Sequence, residues 1–161
     1  MDDEDIVKEN RNLYARGNTI IRTFKNMNND VKLQLFKTYC YPLYCLSLWS
    51  TYRVKTISRL RVGYNSIFRH LLGIRLWNEE LERVESMSDL FLAHDIKSFP
   101  DLYKFISSNS VKRIENSENS LVSGLLNSDA KLSSRQWEHW ERLVNTNQYT
   151  ICYPYLVILI E

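Results

Sequence analysis

Glycine and proline are scarce, with four and three among 161 residues. Short strands joined by tight turns consume both, whereas long helices do not, so the shortage favours a mainly α chain. Cysteine is scarce as well. Cys40, Cys45 and Cys152 are an odd number without the short spacings of a zinc site, and His70, His94 and His139 are far apart, which argues for reduced, incidental thiols and no metal. No stretch reaches the roughly 20 apolar residues of a membrane helix. The longest, Tyr149 to Ile160, is β-prone and a liability to aggregation unless covered. Met1 leads into Asp2-Asp3-Glu4-Asp5, where a secretory signal carries positive charge, so an intracellular protein, nuclear or cytoplasmic, is expected.

Catalytic signatures are missing too. Polymerase chemistry needs carboxylates converging on divalent metal, yet Asp2-Asp3 is the only adjacent aspartate pair and lacks strand-like flanks. Neither Gly-x-Gly-x-x-Gly nor a Gly-Lys-Ser/Thr run is present to cradle phosphate. Nothing in the sequence supports a nucleophile or a cofactor, and none is expected.

Positive charge in the front half is what the sequence does have. The total of +2 conceals a net +11 between Ile6 and Arg75, set against −5 from Leu76 to Glu161 and −4 in the first five residues. A basic module of this kind favours a polyanion, with nucleic acid as the first candidate.

Apolar periodicity divides the chain into helices. Ile6 to Met27 places Ile6, Leu13, Gly17, Ile20, Ile21 and Phe24 on one arc of about 100°, with Lys8, Arg11, Arg22 and Lys25 opposite. Asn28-Asn29-Asp30 supplies a break and an N-cap. Val31 to Trp49 is apolar nearly all round and reads as the central helix, interrupted near Tyr39 to Tyr41 by Pro42. Val54 to Leu72 repeats the first pattern, with Ile57, Leu60, Tyr64, Ile67, Phe68 and Leu71 inward, Lys55, Arg59 and Arg69 outward, and Gly73 as C-cap. Asn78 to Glu85 is acidic and reads as a short exposed helix or a loop. Ser98-Phe99-Pro100-Asp101 starts a helix running to about Glu115, a shorter one spans Ser120 to Leu126, and Ser133-Ser134 caps another bearing Trp137, Trp140 and Val144. The expectation is a helical bundle of about five to seven helices with a β-prone C-terminal tail. It is organised as a basic three-helix module (1–76), an acidic insert with downstream helices (77–128) and a tail (129–161).

The aromatics interleaved with the basic residues, Tyr14, Tyr39, Tyr41, Tyr44, Trp49, Tyr52 and Tyr64, either pack a core or stack on bases. Candidate nucleic-acid contacts are Lys8, Arg11, Arg22, Lys25, Lys32, Lys37, Lys55, Arg59 and Arg69.

Two blocks carry a resemblance. Gly17-Asn18, Ile21-Arg22, Phe24-Lys25, Val31-Lys32-x-x-Leu35-Phe36-Lys37-x-Tyr39-Cys40, Leu43-Tyr44 and Leu48-Trp49 form the first. Arg59-Leu60-Arg61-Val62-Gly63-Tyr64-Asn65-x-Ile67-Phe68-Arg69-x-Leu71-Leu72 forms the second, with Phe99-x-x-Leu102 and Asn119-Ser120-Leu121 as weaker matches downstream. Together, over residues 6–128, they resemble the region after the catalytic palm in reverse transcriptases of LINE-type (non-LTR) retrotransposons of the jockey and chicken-repeat kind. The resemblance implies a thumb-like helical segment that holds template and primer, with RNA or an RNA–DNA hybrid as partner and the polymerase core as packing neighbour. The family's catalytic aspartates match nothing here, so this chain alone is expected to be no enzyme. The acidic stretch before Ser88-Asp89-Leu90-Phe91 departs from the family pattern as an insertion. Two other readings stand beside this one: a helical protein-interaction domain, and a retroelement relic without independent function.

Overall fold

The computed structural model describes residues 2–43, 45–51, 54–74, 77–78, 83–84 and 86–145. The protein is mainly helical. Among the described residues, α1 (Asp2–Thr23), α2 (Asn29–Cys40), α3 (Val54–Leu72), α4 (Met87–Ala93), α5 (Phe99–Glu115), α6 (Ser120–Leu126) and α8 (Arg135–Asn145) are helices of at least seven residues. α7 (Asp129–Leu132) is a four-residue turn of helix, and Leu46–Thr51 forms a 3-10 turn. The readings for Tyr44, Tyr52, Cys152 and the apolar tail fall outside the described residues.

The chain divides into two compact units: residues 1–44 with 55–99, and residues 45–54 with 100–161. They cut across the three sequence segments. The 3-10 turn groups with α5 to α8, and α4 groups with α1 to α3.

In the first unit the apolar stripe of α1 buries Ile6, Leu13 and Ile20. This helix starts and stops about four residues earlier than its apolar spacing suggests. Its acidic beginning complements the unpaired N–H groups of a first turn. Its end is set by Asn28, whose side chain accepts from Val31 N at 3.0 Å and so starts α2. The expected central helix from Val31 to Trp49 is corrected. α2 ends at Cys40, ahead of Pro42, and Cys45 takes a left-handed φ of 55° before the 3-10 turn. α2 also exposes Val31 and Tyr39. The helix at the centre is α3, on which Leu60, Tyr64, Ile67 and Phe68 are all 1% exposed or less. Phe36, Tyr64, Phe68 and Phe91 form a ring cluster with centroids 4.8 to 5.8 Å apart, joined by Phe99 at 6.0 Å from Tyr64. Gly73 at φ 68° closes α3, with its N–H on His70 O and Ile74 N–H on Arg69 O.

α1 and α3 approach closely through glycine on both sides. A Cβ on Gly17 would run into Ile67 of α3, and one on Gly63 would run into Asn10 and approach Tyr14 of α1. Ile67 is 1% exposed and has no room to withdraw. Gly17→Val should therefore destabilise the protein by about 2 kcal/mol through overpacking, read as a lowered urea midpoint. A shift under about 0.5 kcal/mol would show that the two helices separate easily.

Only residues 78, 83 and 84 of the acidic stretch are described, and the expectation of a short helix or a loop for the rest of it falls outside them. Trp77–Asn78 and Arg83–Val84 pair as a minimal antiparallel ladder, Trp77 opposite Val84 and Asn78 opposite Arg83. Residues 79–82 and 85 lie outside the described residues.

In the second unit, Val111 of α5 packs with Trp137 and Trp140 of α8, flanked by Ile114 and Leu126. Ser134 caps α8 by accepting from Trp137 N at 3.3 Å. The Trp140 indole N–H and the Gln136 amide both donate to Ser47 O, at 2.9 and 2.8 Å, and so tie α8 to the 3-10 turn. His139 Nε2 lies 3.2 Å from the Tyr103 hydroxyl; burial and then Arg142 hold its pKa below the ordinary value. A depressed histidine pKa means that the unfolded chain binds the proton more readily. The contribution is then complete above about pH 6.5 and lost as pH falls through the folded value. The melting temperature should drop on acidification below about pH 6.5. His139→Gln should flatten that slope; an unchanged slope would assign it to other groups.

Candidate nucleic-acid interface

At 100° and 1.5 Å per residue, Lys8, Arg11 and Arg22 fall within about 60° on α1 and span about 21 Å along it. All three are exposed. Lys25 was expected on the same helical arc, but it lies beyond the end of α1, exposed in the turn before Asn28. On α3, Lys55 and Arg59 are exposed one turn apart. Arg61, which sequence reasoning passed over because it lies off that arc, is exposed as well. Lys8 stands about 180° round α1 from Gly17, the residue at the crossing with α3. The α1 stripe therefore faces away from α3, and the two basic stripes are separate surfaces.

Three candidates are placed differently. Lys37 is engaged: its Nζ lies 3.0 Å from Asp95 Oδ2. That hydrogen bond, and then the charge of Lys37, hold the Asp95 carboxyl below its ordinary pKa. Arg69 is half-buried and interacts within the protein, so its charge is not presented as the sequence suggests. Lys32 is half-buried on α2. Arg16, part of the +11, is also committed, to Glu9 and to Pro42 O at 2.9 Å. The usable positive field is smaller than the count implies.

The aromatics mostly pack. Tyr64 is 0% exposed and Trp49 is buried. The Tyr41 hydroxyl accepts from Lys97 N at 2.7 Å, and the Tyr64 hydroxyl donates to Lys97 O at 2.7 Å, so the two tyrosines hold the segment before α5. Tyr14 is half-buried. Tyr39, 52% exposed, retains an open ring.

Reactive groups fit a structural role. Burial pushes the Cys40 thiol up to about 12, with Arg16 pulling weakly the other way, so the thiol stays neutral. Among the described residues no three His, Cys, Asp or Glu side chains gather where a metal ion could be held. No helix among them is long and apolar enough to cross a membrane. The arrangement offers long, solvated cations on two helix backs, suited to neutralising phosphates without geometric selectivity. No family model, curated protein or solved structure matches the chain.

Proposed function

We propose that this chain is a non-catalytic C-terminal part of a retrotransposon RNA-directed DNA polymerase, and that it contacts RNA or an RNA–DNA hybrid through the backs of α1 and α3. One observation carries the reading: Lys8, Arg11, Arg22, Lys25, Lys55 and Arg59 are all exposed, on or beside helices whose opposite faces are buried. The resemblance of residues 6–128 to the region after the palm supplies the polymerase context. Val31, Tyr39 and Val62, exposed apolar positions on α2 and α3, are then surface for the polymerase core to cover. A nuclear or cytoplasmic location follows from the same reading.

The test is a titration of the purified protein with a labelled RNA–DNA hybrid. Four phosphate contacts give a slope of about −3.6 in log K against log salt, so affinity should fall about a hundredfold between about 50 and 200 mM salt. Arg11→Glu with Arg22→Glu and Arg59→Glu should weaken binding at least about tenfold at low salt with unchanged circular dichroism. Affinity indifferent to both salt and charge reversal would sink the reading. The competing view, a protein-interaction domain, draws on Leu121 and Leu125, 77% and 63% exposed one turn apart on α6. It predicts binding to an apolar partner that changes little with salt.

A further inference from the structure

α6 buries none of its seven residues, and its two sides differ. Leu126 packs against the cluster of Val111, Trp137 and Trp140, and Val122, one turn before it, is half-buried. Leu121 and Leu125, also one turn apart, are 77% and 63% exposed. A helix this short does not hold itself together in water and depends on what packs against it. One side has that support; the other is open among the described residues. No residue of α6 is charged, so the open side offers nothing to a polar ligand beyond its serines.

The described residues end at Asn145, the last residue of α8. Beyond it the sequence from Tyr149 to Ile160 is free of charge and carries Ile151 and then Leu156-Val157-Ile158-Leu159-Ile160. This segment belongs to the same compact unit as α6. Asn145 lies five residues past Trp140, about 7.5 Å along α8. Packed helices run about 8 to 10 Å apart and Leu125 adjoins Leu126, so the path from Asn145 to the open side of α6 is about 20 Å. Residues 146–152 can extend about 24 Å. A segment tethered this closely meets α6 at an effective concentration in the millimolar range, which a separate molecule rarely matches.

We propose that the Leu121 and Leu125 side of α6 is the docking site of the chain's own segment Tyr149–Ile160. The contact takes two apolar surfaces out of water at once, each of which would otherwise recruit other chains. It is independent of the nucleic-acid reading, and it withdraws α6 from the competing view of an apolar partner surface.

The full chain carries its own probe, since Cys152 lies within the segment. A Leu125→Cys variant is oxidised with oxidised glutathione at low protein concentration, and the products are resolved by non-reducing electrophoresis and peptide mapping, with circular dichroism as the folding control. Arg113→Cys, at an exposed position on α5, is the reference. A disulfide from Cys152 to the new thiol within one chain should form at least about tenfold faster in Leu125→Cys than in Arg113→Cys. Adding Leu121→Ser to Leu125→Cys should remove most of that advantage. In the parent chain, amides of residues 149–160 should exchange hydrogen at least about tenfold more slowly than in Leu121→Ser with Leu125→Ser. Equal disulfide rates at the two positions overturn the proposal. So does a Cys152 disulfide that joins two chains, because the occupant is then a second copy. Neither result bears on Lys8, Arg11 and Arg22, which belong to the first unit.

Discussion

Tyr64→Ala should destabilise the protein by about 4 kcal/mol, a large share of the roughly 5 to 15 kcal/mol that holds a domain folded. The ring is 0% exposed and touches Phe36, Phe91 and Phe99, with centroids at 5.1, 5.8 and 6.0 Å. Its removal leaves a cavity bounded by side chains from α2, α4 and the start of α5, none of which can collapse into it without abandoning its own contacts. The hydroxyl adds a separate effect through its bond to Lys97 O. Tyr64→Phe deletes only that bond and should cost about 1 kcal/mol. Urea melts followed at 222 nm resolve the two. If Tyr64→Ala costs no more than Tyr64→Phe, the ring cluster is not what holds the first unit together.

A comparable loss, about 3 to 5 kcal/mol, is expected for Trp140→Ala in the second unit. Trp140 is 7% exposed, meets Trp137 edge-on at 5.8 Å and packs on Val111. Its indole N–H also satisfies Ser47 O. Trp140→Phe preserves much of the apolar burial and leaves Gln136 to donate to Ser47 O, so it should cost only about 1 to 2 kcal/mol. Three of the four tryptophans, Trp49, Trp137 and Trp140, belong to this unit, so tryptophan emission reports mainly on it. An alanine variant that melts like the parent would show that α8 adds little to the second core.

α3 was legible from end to end, because six apolar residues at helical spacing and a glycine past the end all specify the same element. The run from Val31 to Trp49 was legible only in its break near Tyr39 to Tyr41, which Pro42 signals and the end of α2 at Cys40 bears out. It holds two elements, α2 and the 3-10 turn, whose buried residues belong to different units; superposed on a single helix they imitate a segment apolar on every side. α4 is only seven residues long, too short for periodicity to register, although Ser86 three residues ahead of Asp89 is a capping signature and the Ser86 hydroxyl does accept from Ser88 N. The candidate interface was legible in its charges but not in their commitments. Lys37 finds Asp95 across 58 residues of sequence, a pairing that no local pattern encodes. Arg16 found Glu9 seven residues away, a separation that misses the usual one-turn rule for helical ion pairs.

The second unit is sewn together from a short internal piece, residues 45–54, and everything after residue 99. Gln136 and Trp140 reach Ser47 across 89 and 93 residues. During synthesis the 3-10 turn must therefore wait, with Leu46 and Trp49 uncovered, until nearly all of the remaining chain has emerged. A truncation at the boundary near residue 99 would not release a self-sufficient first half: it would strand those two side chains in water without the helix that shelters them. The second half, cut free, would lack the turn on which α8 closes.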